Sequence, residues 1–176
     1  TTSGVLAAAP EFFLKKNYRK LLVIADANTA AFRGVLVDAL RQAGLSFSEV
    51  LFPAKPQLVP DERALGLIAM SLDKEVDCIV AVGSGTINDL ARYTAYISSL
   101  PYVIFATAAS MDGYTSSVSP LIKNKKKITF EALTPQAVFA DIDTVKNAPL
   151  KLLRAGIGDV IGKYCALADW QLSSLV

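Results

Sequence analysis

The chain has 176 residues, 52% of them hydrophobic and 19% charged, which allows a sizeable core and is not the composition of a disordered protein. Its net charge of +2 gives no field that would favour a nucleic-acid partner, and no apolar run approaches the roughly 18 residues of a membrane span. The lack of histidine excludes a Ser-His-Asp triad, a Cys-His pair and a multi-histidine metal site within this chain. Cys78 and Cys165 lie in apolar runs and are predicted to be buried thiols of a cytoplasmic protein.

Five apolar segments predict β-strands, and four of them are almost continuously apolar, as the central strands of a parallel sheet are. The second segment is more mixed, which favours a position nearer an edge. The segments are "KLLVIAD" (20–26), "SFSEVLFP" (46–53), "DCIVAVG" (77–83), "PYVIFAT" (101–107) and "AVFADID" (137–143).

Helix-like stretches separate the first four strands. Residues 29–44 have apolar spacing near 3.6 and end in Gly44, which suits a C-cap. Residues 60–75 begin with Pro60, Asp61 and Glu62 in the predicted first turn. Residues 86–100 follow a Gly-Ser-Gly turn. This alternation predicts βαβ units with right-handed crossovers. We therefore expect a Rossmann-like α/β fold, with a mostly parallel sheet and helices on both faces.

The alternation stops after residue 107. Two extended runs, 117–122 and 127–133, flank a basic turn and predict a β-hairpin inserted into the sheet domain. The turn "KNKKK" (123–127) is expected to be a solvated hairpin tip, with an anion contact as the alternative. From Pro149 the pattern is helical and reaches Val176 without a cap, so we expect an α/β domain over 1–148 and the start of a truncated all-helical domain over 149–176.

The turn "GSGTIND" (83–89) follows the third strand and opens a helix. Gly83 and Gly85 permit positive φ and close backbone approach, and the free N–H groups of the helix that begins near Thr86 are suited to a pyrophosphate. The alternative is a tight connection capped by Ser84 or Thr86, with Asp89 as a first-turn acid. A single GxG does not decide between the two.

Asp26 ends the first strand. A carboxylate there can accept both hydroxyl groups of an adenosine ribose and would repel a 2′-phosphate. The alternative is that Asp26 caps the helix that follows, a role that Asn28 or Thr29 fills equally well.

A polar loop of small residues, "ATAASMDGYTSS" (106–117), leaves the fourth strand. In an open α/β sheet, ligands bind at the carboxyl ends of the strands, so this loop is expected to face the same crevice as the glycine turn. Thr107, Ser110 and Ser116 are candidates for cofactor contacts and Asp112 for a substrate hydroxyl. The alternative is an ordinary Ser/Thr-rich loop that turns at Asp112-Gly113.

Asp159 lies between glycines in "AGIGDVIGKYCALADW". One interpretation is an acid at a helix N-terminus, and the other is a metal ligand that faces an interdomain cleft. One carboxylate does not hold a catalytic metal, because such a metal needs several more ligands, typically including imidazoles.

Taken together, "VIADANT", "VAVGSGTINDLARY", "ATAASMDGYTS", "AVFADID" and "AGIGDVIGKYCALADWQ" resemble, in order and spacing, the sn-glycerol-1-phosphate dehydrogenases. That family belongs to the superfamily of iron-containing alcohol dehydrogenases, glycerol dehydrogenases and dehydroquinate synthases. The resemblance covers about residues 18 to 176, and "SMDGYTS" and "GIGDVIGKYCALADW" are its most diagnostic blocks.

The resemblance implies a metal-dependent interconversion of dihydroxyacetone phosphate and sn-glycerol 1-phosphate with NAD or NADP, with zinc, nickel or iron as the divalent metal. It implies a dimeric parent enzyme with a phosphorylated triose or polyol as substrate and no nucleic-acid partner. Asp159 would be the metal ligand, and Asp112 and Asp159 would be the catalytic and substrate-binding residues. The residues implied for the cofactor are Asp26, Gly83, Gly85, Thr86, Ile87, Asn88, Asp89, Thr107, Ala108, Ala109, Ser110 and Ser116.

The sequence departs from this family in one respect that concerns chemistry. The remaining metal ligands of the family are two histidines in a C-terminal helical domain, and this chain has none. We therefore expect the chain to be inactive as it stands, although its parent would be active. A dehydroquinate synthase-like or glycerol dehydrogenase-like enzyme and a non-catalytic nucleotide-binding module remain as alternatives.

Overall fold

The computed structural model describes residues 4–175, which contain six α-helices and seven β-strands. The helices are α1 (Val5–Lys15), α2 (Ala30–Gln42), α3 (Glu62–Ser71), α4 (Gly85–Ser98), α5 (Ile142–Lys146) and α6 (Leu150–Ser173). The strands are β1 (Lys20–Asp26), β2 (Ser46–Phe52), β3 (Cys78–Gly83), β4 (Tyr102–Ala106), β5 (Val118–Lys123), β6 (Lys126–Glu131) and β7 (Ala137–Ala140). The outermost residues of the two predicted domains, 1–3 and 176, lie outside this description.

Five strands form one parallel sheet in the order β2-β1-β3-β4-β7. The predicted α/β fold with a mostly parallel sheet is confirmed, and β2 lies at an edge as its mixed composition indicated. From β1 the chain moves first to β2 on one side and then to β3 on the other. The order therefore reverses between β1 and β3, and a crevice opens at their carboxyl ends, where ligands bind in such sheets.

Alternate residues of the strands point to opposite faces of the sheet, and each face carries its own core. On one face, Leu22, Ile24, Ile79 and Ile104 pack with α3 and α4. On the other face, residues such as Leu21, Val80 and Phe105 pack with α1 and α2. Helices cover both faces, as predicted, and the loops that follow the strands lie at the carboxyl edge of the sheet.

The predicted hairpin is present as the antiparallel pair β5–β6. Its two-residue turn places Asn124 and Lys125 at φ 51° and 62°, which is the type I′ geometry that matches the twist of the flanking strands. The tip is exposed, as expected, and the backbone N–H of Asn124 donates to Glu62 Oε1 of α3 over 2.6 Å. Ser119 Oγ donates to the carbonyl of Asp89, so the hairpin is also tied to α4.

The helical pattern after Pro149 forms a single helix, α6, of 24 residues. Its apolar side chains are largely exposed: Ile157 is 61%, Tyr164 75% and Trp170 74% accessible. Within residues 4–175, no helix combines the length and the apolarity needed to cross a bilayer.

Three local expectations were wrong, and one helix was missed. No prediction was made for helix α1, whose sixth residue, Pro10, does not break the helix. The last strand ends at Ala140 rather than at residue 143, because the Asp141 carboxylate caps α5. Pro60 precedes α3, whose N-cap is Asp61. Cys78 is buried as predicted, whereas Cys165 on α6 is exposed.

Candidate functional site

A groove of about 1020 Å³ lies at the carboxyl ends of β1, β3 and β4. Part of its lining follows these strands, and the rest comes from other segments, among them α2, α5 with the residues after it, and the start of α6. The lining after the strands includes Asp26, Asn28, Thr29, Ser84, Thr86, Ile87 and Thr107, and the rest includes Phe32, Val35, Thr144, Asn147, Lys151 and Leu152. The strand order therefore brings Asp26 and the glycine turn to one crevice, as the sequence predicted.

Asp26 caps the 3-10 turn at Ala27–Thr29. Its Oδ1 atom accepts hydrogen bonds from the backbone N–H groups of Asn28 and Thr29, at 2.9 and 3.2 Å. The capping interpretation is thus correct, and the same carboxylate also lines the groove. Both hydrogen bonds use Oδ1, so a ribose contact through Oδ2 is compatible with the cap and stays a prediction.

The Gly-Ser-Gly turn needs its first glycine for packing rather than for positive φ. Among residues 4–175, the glycines with positive φ are Gly4 and Gly44, so that part of the prediction was wrong for Gly83 and Gly85. A Cβ atom on Gly83 would lie 2.8 Å from Cβ of Ile87. Because glycine has no Cβ atom, α4 can start directly against β3. A Cβ atom on Gly85 would lie 3.3 Å from Sδ of Met111.

The N-terminus of α4 faces the groove without a side-chain cap. Ser84 is its N-cap residue, and among the described residues its side chain makes no capping hydrogen bond. Ser84, Thr86 and Ile87 line the groove at this point. A side-chain cap by Ser84 would explain the turn as a plain connection, and the described residues show none. The free N–H groups at the positive end of α4 are suited to an anion.

Asn88 and Asp89 are buried behind the turn. Asn88 is inaccessible to solvent, and within residues 4–175 both polar atoms of its side chain lack a hydrogen-bond partner, an arrangement that costs free energy unless a ligand or water satisfies them. The Asp89 carboxylate faces Arg92, with Oδ1 3.4 Å from Nη1. Burial raises the pKa of Asp89 to about 6, although Arg92 and Lys127 oppose this shift.

The loop after β4 connects the groove to α6. Thr107 lines the groove and donates its N–H to the carbonyl of Gly83, while the hydroxyl group of Tyr114 donates to the carbonyl of Ala108 over 2.6 Å. A Cβ atom on Gly156 of α6 would lie only 2.0 Å from the carbonyl oxygen of Ala109, so this glycine permits the helix to touch the loop. Ser116 bonds through its hydroxyl group to the backbone of Val118, beside the hairpin.

The contact with α6 brings Asp112 and Asp159 together. Oδ2 of Asp159 accepts the backbone N–H of Asp112 over 2.9 Å, and Nζ of Lys163 lies 2.8 Å from Oδ2 of Asp112. The hydrogen bond from Lys163 lowers the pKa of Asp112, and the same bond raises the pKa of Lys163. Asp159 lies well inside α6, so its interpretation as a helix N-terminal acid was wrong.

Sequence reasoning missed Lys163. It follows Asp159 by four residues, which places both side chains on one face of the helix, and this spacing was the available signal. The two carboxylates and this ammonium form a charged cluster, which we call the Asp112–Asp159–Lys163 cluster. The groove and this cluster lie at opposite ends of the loop formed by residues 107–112.

The residues present suit a dinucleotide but not a metal. The groove offers hydroxyl groups, a carboxylate and an uncapped helix N-terminus, and the unpartnered Asn88 side chain lies at the same turn. By contrast, residues 4–175 contain no group of three histidine, cysteine or carboxylate side chains that would hold a metal ion. Asp112 and Asp159 alone do not fill the coordination sphere of zinc, nickel or iron.

Comparison with known proteins assigns the chain to a family. A sequence model described as iron-containing alcohol dehydrogenase matches residues 1–149. The chain belongs to the iron-containing alcohol dehydrogenase family. The resemblance inferred from the sequence blocks is confirmed.

Curated relatives point to one branch of this family. The chain is 41% identical over 165 residues to a glycerol-1-phosphate dehydrogenase (NAD(P)+) of Bacillus velezensis, and 36% identical over 166 residues to the protein of that name in Bacillus subtilis. These alignments cover 92% and 93% of the chain and 42% of each relative. The chain therefore spans less than half of the length of the curated relatives it matches.

Solved structures of this family share the fold. The structure of glycerol dehydrogenase from Schizosaccharomyces pombe matches with a TM-score of 0.78 at 26% identity, over 93% of this chain and 42% of that one. An NADH-dependent butanol dehydrogenase from Thermotoga maritima matches with a TM-score of 0.76 at 20% identity, over 92% of this chain and 47% of that one, and shows the fold alone.

Proposed function

We propose that this chain is the NAD(P)-binding part of a longer enzyme that interconverts dihydroxyacetone phosphate and sn-glycerol 1-phosphate. The observation that carries the proposal is the crevice between β1 and β3, where Asp26 and the uncapped N-terminus of α4 line one groove. The names of the curated relatives support the choice of substrate and cofactor.

In this proposal each part of the groove has a separate task. The N–H groups at the start of α4 bind the pyrophosphate, Asp26 accepts the ribose hydroxyl groups, and Thr107 with the 108–110 backbone orients the nicotinamide end. The bound nicotinamide supplies or accepts the hydride. Asp112 and Asp159 then lie where the loop after β4 ends, and they orient the substrate hydroxyl or carbonyl group.

The division of the chain follows from the same proposal. Residues up to 148 form the nucleotide-binding domain, and residues 149–176 begin a helical domain whose remaining part covers the exposed apolar side chains of α6. The family match ends at residue 149, close to the start of α6, which supports this boundary. The metal ligands that residues 4–175 lack would come from that remaining part, so we expect the chain alone to bind cofactor without turnover. We place the enzyme in the cytoplasm, as a dimer without a nucleic-acid partner.

Two measurements test the proposal. Calorimetric titration of the chain with NADH and NADPH is expected to give saturable binding, and the full-length protein with zinc or nickel is expected to oxidise NADH in the presence of dihydroxyacetone phosphate. Asp26→Asn keeps an acceptor for the Asn28 and Thr29 N–H groups but removes the charge, so it should strengthen NADPH binding relative to NADH. If the chain bound neither NADH nor NADPH, the proposal would be contradicted.

A second candidate is a dehydrogenase of unphosphorylated polyols. It is favoured by the 26% identical structure of a glycerol dehydrogenase. Assays of the full-length protein with dihydroxyacetone and with dihydroxyacetone phosphate separate the two, because a phosphate-specific enzyme discriminates strongly in favour of the second substrate.

A further inference from the structure

Lys163 is the one member of the Asp112–Asp159–Lys163 cluster that carries positive charge. Its Nζ atom lies 2.8 Å from Oδ2 of Asp112, and the side chains of both residues remain accessible, at 56% and 39%. An exposed ion pair of this kind contributes little free energy. The ammonium group therefore lies beside the site and can turn to a ligand at small cost.

We infer that Lys163 binds the phosphate group of the substrate and selects phosphorylated trioses over neutral ones. The inference rests on the proposed function, because it assigns a phosphate subsite to that reaction. The inference also gives Lys163 a role, since this residue does not line the cofactor groove.

Charge supports this assignment. A phosphate monoester carries about −1.5 to −2 charges at neutral pH, since its second pKa is near 6. Asp112 and Asp159 would repel such a group, so a substrate that bears one needs a cation at this place. Lys163 supplies that cation within hydrogen-bonding distance of Asp112.

Reach supports it as well. Side chains four residues apart on a helix have Cβ atoms about 5–6 Å apart, and a lysine ammonium extends a further few ångströms. A three-carbon substrate whose central oxygen contacts Asp159 places its terminal phosphate about this far away. The ammonium of Lys163 therefore falls within the span of one small molecule.

The cation buried beside this loop, Arg92, is committed elsewhere. The guanidinium group of Arg92 is buried and donates to the carbonyl groups of Gly113, Tyr114 and Val118. These hydrogen bonds leave Arg92 unavailable to a ligand in the Asp112–Asp159–Lys163 cluster.

The test compares Lys163→Met, Lys163→Arg and Lys74→Met in the full-length protein. Lys74 is an exposed lysine before β3, at the opposite edge of the sheet, so its substitution makes the same charge change away from the site. Thermal melts check that each variant is folded. Steady-state kinetics are then measured with dihydroxyacetone phosphate and with dihydroxyacetone.

Lys163→Met is expected to raise KM for dihydroxyacetone phosphate by about 10- to 100-fold, the range for loss of a hydrogen bond to a charged group. KM for NADH and the kinetics with dihydroxyacetone should change little, Lys163→Arg should retain most of the affinity, and Lys74→Met should match the wild type. An equal loss with both substrates would instead assign Lys163 to orienting Asp112 and would overturn the inference.

Equilibrium binding separates this inference from the proposed function. Titration of the wild type and of Lys163→Met with sn-glycerol 1-phosphate needs no turnover. Weaker binding by the variant supports the phosphate subsite even if the wild type fails to reduce dihydroxyacetone phosphate, a result that would contradict the proposed function alone. Equal binding by the two proteins overturns the assignment of Lys163.

Discussion

Nε of Arg92, on α4, donates a hydrogen bond of 2.9 Å to the hydroxyl oxygen of Tyr102, on β4. The rest of the buried guanidinium group donates to the carbonyl groups of Gly113, Tyr114 and Val118. One side chain thus ties the helix after the glycine turn to the loop that carries Asp112. Because these hydrogen bonds occupy its guanidinium group, Arg92 positions the loop rather than contacting a ligand.

We predict that Arg92→Met destabilises the protein by about 3–5 kcal/mol, because it leaves the Asp89 carboxylate and several carbonyl groups buried without their partner. Chemical denaturation measures the free energy of unfolding. Arg63→Met, which removes an exposed arginine from α3, is the matched control and should change the stability by less than about 0.5 kcal/mol. Equal effects of the two substitutions would show that the buried hydrogen bonds contribute nothing.

Gly83→Ala is predicted to destabilise the protein by about 1–3 kcal/mol, because its Cβ atom would lie 2.8 Å from Cβ of Ile87 and force α4 away from β3. The helix N-terminus would move with it, so cofactor binding should weaken as well. Gly66→Ala in α3 meets nothing within 4 Å and should be neutral or stabilising by up to about 1 kcal/mol. Thermal melts and NADH titration measure both effects, and an unchanged affinity in Gly83→Ala would contradict the role given to the turn.

Gly156→Ala is predicted to separate α6 from the loop after β4, since its Cβ atom would lie 2.0 Å from the carbonyl oxygen of Ala109. The hydrogen bond from the N–H of Asp112 to Asp159 should then open, and the Asp112 amide should exchange its hydrogen faster. Gly162→Ala, on the same helix, meets nothing within 4 Å and should leave that exchange rate unchanged. Amide hydrogen exchange followed by NMR makes the comparison.

Asp89 is predicted to give the protein a pH-dependent stability. Burial raises its pKa in the folded state from the ordinary 3.8 to about 6, so between these values the folded protein binds more protons than the unfolded chain. The contribution of Asp89 to the free energy of unfolding therefore falls by up to about 3 kcal/mol as the pH rises from about 4 to 6. Above that pH it stays constant. The difference in unfolding free energy between wild type and Asp89→Asn, measured at pH 4.5 and 7.5, should shift in this direction; a constant difference would contradict it.

The strands were predictable because a parallel sheet buried on both faces needs continuous apolar runs, such as that of β3. The crevice followed from the same rule, since Asp26 and the glycine turn end neighbouring strands. Helix α1 was missed because Pro10 lies in its middle, where it removes one N–H donor, and the packing of Phe13 and Ala9 against the sheet compensates. A local pattern does not contain such long-range packing.

The roles of Lys163 and Arg92 depend on packing in the same way. Gly156 lets α6 touch Ala109, and the same packing brings Lys163 to Asp112. The residues joined by this packing, such as Asp112 and Asp159, are 47 positions apart in the chain. In the sequence Arg92 occupies a polar position of an amphipathic helix, yet in the structure it is almost completely buried. Its role follows from where the hairpin and the loop fold over α4.

Helix α6 extends far beyond its contact with Ala109 at Gly156, so a small tilt at that contact moves its far end by several ångströms. A helix of 24 residues is about 36 Å long, and the part from Gly156 to Ser173 accounts for about 25 Å of it. A tilt of about 10° at the Ala109 contact would displace the far end, near Trp170, by about 4 Å. A partner that tilts the outer half of α6 would therefore also shift the contact between Gly156 and Ala109, and with it the loop that carries Asp112.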